Sequence, residues 1–220
     1  MQQLFTHPRF GGEIREVYAR IKSYYSRKVS RYGATPLGVD WSCVPAQELR
    51  FMQLVKLCDF SVPFSLNDLG CGYGALLTYL AKRYSDTEVD YLGIDLAPAM
   101  VRKAERLWGS AGHRKFVVGH SSPRIADYSV ASGIFNVKLD QPIARWERFV
   151  AFTLQGMAEA SRHGFAVNFM GSLPKANENP SILYRTPVEP WIRYGEQELG
   201  CSVELLTNYG LHEMTLLLRK

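Results

Sequence analysis

The 220-residue chain is 46% hydrophobic and 21% charged, close to the globular average, which argues against a disordered chain, a collagen-like fibre or a low-complexity tail. Its length suits one domain with a substantial core. The formal charge of +5 sits at one end: residues 1–31 hold seven basic and two acidic side chains while the rest balances at 19 of each, so the body of the protein is electrically neutral.

Residues 13–32 place Ile14, Val17, Tyr18, Ile21, Tyr24, Tyr25, Val29 and Tyr32 at steps of three and four, which predicts an amphipathic helix with a basic outer face. Gly33, Pro36 and Gly38 break it, and a second helix is expected from about Ala46 to Phe60 with Leu49, Met52, Val55 and Leu57 inward. From Pro63 onward strands alternate with helices. Strand 65–70 leads to helix 75–84, strand 89–95 to a helix opened by Pro98 with Met100, Val101, Ala104, Leu107 and Trp108 as its buried stripe. Strands 115–119 and 128–133 follow. A long helix over 142–161 presents Ile143, Trp146, Val150, Leu154 and Met157, with Gly164 as its cap, before a fifth strand at 165–170. A loop with Pro174, Asn177, Asn179 and Pro180 leads to a helix from Pro187, and strands 201–209 and 211–219, parted by Gly210 alone, must form an antiparallel hairpin. Alternating strands and helices mean an α/β fold, a mostly parallel sheet covered on both faces.

Runs such as 91–94 and 216–218 stop far short of the ~20 apolar residues of a membrane-spanning helix, and the opening MQQLFTHPRFGGE lacks the apolar core of a secretory signal. A cytoplasmic location without a membrane partner is the expectation. Cys43, Cys58, Cys71 and Cys201 show no CxxC pair and no histidine at ligand spacing, so free buried thiols are expected and no metal site.

The densest motif is Asn67-Asp68-Leu69-Gly70-Cys71-Gly72-Tyr73-Gly74, at the end of the first strand. Glycines there admit positive backbone angles and let a ligand approach the main chain. The string also satisfies a dinucleotide fingerprint through Gly70, Gly72 and Ala75, and Asp95, ending the second strand, serves either reading. Asp68 separates them: a carboxylate two residues before the first glycine repels a pyrophosphate and welcomes an ammonium. The C-terminal hairpin and the lack of room for a second substrate domain point the same way, to a cationic, amino-acid-bearing cofactor.

On these residues the sequence resembles the class I S-adenosylmethionine-dependent methyltransferases. DLGCGYG at 68–74 matches their first motif and YLGIDLAPAMVRKAE at 91–105 looks like their second, and the resemblance covers roughly 46–220. It implies a Rossmann-like three-layer sandwich with strand order 3-2-1-4-5-7-6, S-adenosylmethionine as cofactor and S-adenosylhomocysteine as product. It also implies roles: the loop Gly70, Cys71, Gly72, Tyr73 and Gly74 beneath the methionine moiety and ribose, Asp68 near the amino group, Asp95 on the ribose hydroxyls, and Leu96 and Met100 flanking the adenine. Gly119, His120 and Ser121 leave the third strand where many relatives carry an acid; here His120 or Ser121 would supply the acceptor. Ala131, Ser132 and Gly133 match the segment beside the sulfonium, and Arg50 matches an arginine that grips the cofactor carboxylate in some small-molecule enzymes.

Residues 1–45 are expected to form a mobile helical cover over a methyltransferase domain at 46–220, with Tyr24, Tyr25, Tyr32 and Trp41 supplying its apolar area and Trp41 acting as lid; a permanently docked helix is the alternative. Bland roles are a helix-dipole interaction for Asp68 and Asp95, a salt bridge for Arg50 and ordinary surface positions for His7, His113, His163 and His212. No residue declares itself as general base. The segment Ser132-Gly133-Ile134-Phe135-Asn136 lacks the Pro-Pro-aromatic run of adenine-N6 enzymes, and no acidic cluster supports a magnesium mechanism. A compact chain closed by a helix resembles enzymes that methylate an oxygen or nitrogen of a small molecule. The alternatives are an RNA methyltransferase, which the basic helix 13–32 would suit, an NAD-dependent oxidoreductase, and an inactive partner subunit.

Overall fold

The computed structural model describes residues 8–41, 43–109, 112–171 and 182–220; for 8–10 only the helical backbone is considered. His7 and the expected loop with Pro174, Asn177, Asn179 and Pro180 lie outside the described residues. In chain order come α1 (Pro8–Tyr32), a 3-10 turn (Pro36–Val39), α2 (Val44–Leu54) running into a second 3-10 turn (Val55–Leu57), β1 (Phe64–Leu69), α3 (Ala75–Arg83), β2 (Val89–Asp95), α4 (Pro98–Trp108), β3 (Arg114–Val118), β4 (Ala126–Ala131), α5 (Ile143–Glu159), β5 (Ser161–Met170), α6 (Glu189–Gln197), β6 (Ser202–Leu206) and β7 (Glu213–Arg219).

The strands form one seven-stranded sheet in the order β3-β2-β1-β4-β5-β7-β6. The β1–β2, β1–β4, β2–β3 and β4–β5 pairs are parallel, and β7 runs antiparallel to both β5 and β6. Central β1 is buried almost throughout, the pattern of a strand covered on both faces. One face packs against α5 and α6 through Trp146, Phe149, Leu154 and Trp191, the other against α2, α3 and α4 through Leu54, Leu76, Leu80 and Ala104. No described helix is long and apolar enough to cross a membrane, and no described cluster could hold a metal ion.

Helix α1 joins the first of these cores. Val17 is fully buried and Ile14 nearly so, each burial worth about 1.5–3 kcal/mol, while Val29 packs with Ala97 and Met100 near α4. Ion pairs Glu13–Arg148 (2.7 Å) and Glu16–Arg145 (3.2 Å) fasten its first half to α5, and Arg20–Asp140 (2.9 Å) ties it to the turn before α5. Of these three pairs, Arg20–Asp140 alone neutralises a basic side chain of α1.

Several expectations need correction. Gly164 does not cap the long helix: α5 ends at Glu159 with Ala160 as its C-cap, and Gly164 sits in β5 opposite Arg219, where a Cβ would come within 3.1 Å of the Arg219 Cα. The hairpin is antiparallel as expected, but β6 and β7 are parted by residues 207–212 and not by Gly210 alone. Met52 lies on the face of α2 away from buried Arg50 and Leu54, Leu107 at the edge of the α4 stripe and Ile143 at the first position of α5, and all three are exposed; Cys43 is exposed too. In the crossover from β3 to β4, Arg124 ties β1 to β2, donating from Nη1 to Asp90 Oδ2 (2.7 Å), from Nη2 to the Asp90 carbonyl (2.6 Å) and from Nε to Asn67 Oδ1 (3.1 Å).

Candidate active site

The glycine loop is folded back over the end of β2 by two hydrogen bonds: the backbone N–H groups of Gly70 and Cys71 both donate to the Ile94 carbonyl, at 2.8 and 3.0 Å. Gly70 has φ +77°, and a Cβ there would overlap the Ile134 side chain, so the turn demands glycine twice over. Asp95 gathers the two motifs. Its Oδ2 accepts from the Gly72 N–H at 3.0 Å and its Oδ1 from the Ala97 N–H at 2.8 Å, which leaves further lone pairs on both oxygens.

Asp68, the penultimate residue of β1, is almost wholly buried. Burial pushes its carboxyl up to about 7, against the pull of the Tyr91 hydroxyl, which donates to Oδ2 at 2.5 Å, and with a further push from Asp95. Burial likewise lifts Asp95 to about 6, with the Ala97 and Gly72 N–H groups pulling it down. Two carboxylates held in one cavity favour a cation and disfavour a pyrophosphate. The residues present therefore fit an amino-acid-bearing, ribose-bearing cofactor: a concave glycine backbone, an acid for an ammonium and an acid with acceptor capacity to spare.

These groups line a cavity with about 980 Å³ of empty space, its solvent-open part included, within the range of small-molecule sites. Of the positions singled out in the sequence, Trp41, Asp68, Gly70, Cys71, Gly72, Tyr73, Asp95, Leu96, Met100, Gly119, His120, Ser132 and Gly133 come together there. Gly74, Ala131, Ser121 and Arg50 do not line it. Gly74 instead begins α3 against the Trp108 indole, and Ser121 lines a neighbouring cleft beneath the short crossover. Arg50, expected to face the cofactor, commits its guanidinium to Glu213. Of the expected cover aromatics Tyr25 and Trp41 reach the cavity, whereas Tyr24 packs edge-on against Tyr25 and Tyr32 lies beneath Lys28.

Other lining residues went unnamed by sequence reasoning as members of the site. Tyr18 stacks on His120 (4.6 Å between centroids, 21° between planes) and meets Phe149 edge-on. Ile21, Lys22, Gln47, Phe51, Ile134 and Thr153 also line the wall. Only the inward phase of α1 hinted at Tyr18 and Ile21; Phe149 and Thr153 look like ordinary core residues of α5. Burial raises the Tyr18 hydroxyl to about 12 and lifts Tyr25 well above the ordinary phenol value, so both stay protonated and offer donors and ring faces, not a base. His113, His163 and His212 are exposed.

A family model described as a methyltransferase domain matches residues 67–137. Rv1506c of Mycobacterium tuberculosis, named as a methyltransferase, is 42% identical over 169 residues, spanning 77% of this chain and 99% of its own length. Among solved structures, magnesium protoporphyrin IX methyltransferase of Synechocystis PCC 6803 with bound S-adenosylhomocysteine has a TM-score of 0.61 at 13% identity, over 92% of this chain and 99% of that one. Human N-acetylserotonin methyltransferase with S-adenosylmethionine has a TM-score of 0.54 at 17% identity, over 93% and 66% of the two chains. At such identities these two are likenesses of fold.

Proposed function

The chain belongs to the class I S-adenosylmethionine-dependent methyltransferases, and from that premise we propose that it methylates an oxygen or nitrogen atom of a small-molecule acceptor enclosed beneath α1. S-adenosylmethionine is its cofactor and supplies a sulfonium methyl group that needs no activation. What remains for the protein is to align the acceptor and keep water out.

Asp95 would take the ribose hydroxyls on its spare lone pairs, Asp68 would face the amino group, and Leu96 and Met100 would flank the adenine with Gly119 and His120 at its edge. Ser132 and Gly133 would stand beside the sulfonium. That assignment uses one side of the cavity. Tyr18, Ile21, Phe149 and Thr153 line the remainder, an apolar and aromatic surface with hydroxyl donors, suited to a compact, partly apolar acceptor.

The observation that carries this reading is the position of α1: its buried residues join the core while Tyr18, Ile21, Lys22 and Tyr25 wall the cavity. A site closed in this way suits a molecule that fits inside it. We further propose that residues 1–45 act as a cover whose ordering tightens on ligand binding, over a domain at 46–220. Labelled S-adenosylmethionine incubated with the chain and a metabolite extract should yield one labelled small product. The competing RNA reading draws on the exposed Arg15, Arg27 and Arg31 of α1, and salt-sensitive nanomolar RNA retention on a filter, with no labelled metabolite, would establish it instead.

A further inference from the structure

Arg50 in α2 and Glu213 at the start of β7 are 163 positions apart and meet as a bidentate pair, Nε and Nη2 donating to the two carboxylate oxygens. Nη1 donates to the Ala46 carbonyl at 3.0 Å. The two side chains are only 5% and 7% exposed. Glu213 Oε2 also accepts from Asn168 Nδ2 at 2.9 Å, and Asn168, wholly buried in β5, accepts at Oδ1 from the Gly133 N–H at 2.7 Å. One connected set of polar groups thus runs from α2 through β7 and β5 to the turn that follows β4.

The flat face of the same guanidinium carries the Trp41 ring, with Arg50 Cζ 3.4 Å from the ring centroid. The far edge of the indole lies over Gly133, where an added Cβ would come within 2.5 Å of Cη2. Trp41 is clamped between Arg50 and the Gly133 backbone, and the same hydrogen bonds fix both jaws. Trp41 and Gly133 both line the cavity.

A buried ion pair is a weak explanation for stability, because apolar residues of equal volume often serve as well. What a guanidinium locked by a carboxylate offers is a rigid planar surface at a set height, which a lysine cannot supply. We propose that Arg50 and Glu213 are positioning residues that hold Trp41 as a fixed wall of the cavity beside Gly133. The inference rests on methyl transfer taking place in this cavity, but the placement of Trp41 can be read without it.

The decisive variant is Arg50→Lys, which keeps the buried charges balanced and removes the planar fork. Acrylamide quenching of Trp41 is read with S-adenosylhomocysteine bound, as the difference between each protein and its Trp41→Phe counterpart. Quenching should rise clearly in Arg50→Lys while the thermal midpoint changes little, and label transfer into the metabolite extract should fall by about tenfold, a loss typical of a misplaced positioning group. The double variant Arg50→Met with Glu213→Leu leaves no orphaned charge and should release Trp41 in the same way, so it decides the matter if Arg50→Lys folds poorly. Unchanged quenching in the folded variants overturns the proposal, as does lost transfer with Trp41 still shielded. An unaltered chain that labels no metabolite counts against the proposed function alone, and the quenching comparison still stands.

Discussion

The two sides of the cavity are built in opposite ways. The side with Asp68, the glycine loop and Asp95 comes from two short sequence segments on adjacent parallel strands, joined by backbone hydrogen bonds such as Gly70 N–H to the Ile94 carbonyl. The other side comes from α1 and α5, whose side chains meet through packing, a Tyr18–Thr153 hydrogen bond and half-exposed ion pairs. Backbone-held geometry is stiff because each bond belongs to the sheet ladder or its continuation; side-chain-held geometry can open at small cost. The first side suits a constant cofactor and the second an acceptor that must enter and leave.

The sharpest way to break this contrast is Asp95→Ala, which deprives the Gly72 and Ala97 N–H groups of their acceptor and the cofactor of its own. About 3 kcal/mol of cofactor affinity should be lost, roughly a hundredfold in Kd. Titration calorimetry with S-adenosylhomocysteine measures it, and a Kd within a few-fold of the unaltered chain would mean the stiff side does not govern cofactor binding. Val17→Ala probes the other side. It should cost about 2 kcal/mol through the cavity left in the core, visible in urea unfolding, and should reduce transfer more than cofactor affinity; equal losses would erase the distinction between the two sides.

A pH series sharpens the comparison next. Both acids carry raised values in the folded, ligand-free chain, about 7 for Asp68 and about 6 for Asp95. Between about pH 4 and 7 the folded state therefore binds more protons than the unfolded one, so these groups stabilise the ligand-free fold less as pH rises. Cofactor binding has the opposite sign, since an ammonium needs Asp68 ionised: affinity should climb by about tenfold per unit up to neutrality and then level off. Calorimetry across pH 5–8 tests this, and a flat profile would remove Asp68 from the cofactor's amino group. The smallest effect belongs to Glu13→Gln with Glu16→Gln. These half-exposed pairs should cost well under about 1 kcal/mol each, yet amide exchange along α1 should quicken in the ligand-free chain and slow again with S-adenosylhomocysteine; indifference to both changes would mark α1 as a permanently docked helix.

Legibility in the sequence follows the same division. Asp68, Gly70, Gly72 and Asp95 were readable because backbone requirements for glycine and strand-end acids are local, and the sheet order followed from the resemblance those motifs carry. Arg50 was read toward the cofactor because spacing reports which helix face it occupies, not which partner 163 positions away will neutralise it. Gly164 was read as a cap because a glycine after a helical run signals an end, whereas close approach of β7 is what excludes a side chain there.

By itself the sequence determined the alternation of strands and helices, the closing antiparallel hairpin and the glycine loop with its two neighbouring acids, since hydrophobic period and backbone freedom are properties of neighbouring residues. Only the tertiary structure decided that Tyr18 would lie on His120, that Arg124 would bond Asp90 and Asn67 across β1 and β2, and that Trp41 would be gripped between Arg50 and Gly133. Those contacts join segments distant in the chain, and an apolar or charged side chain carries no local mark of the partner that packing will bring to it.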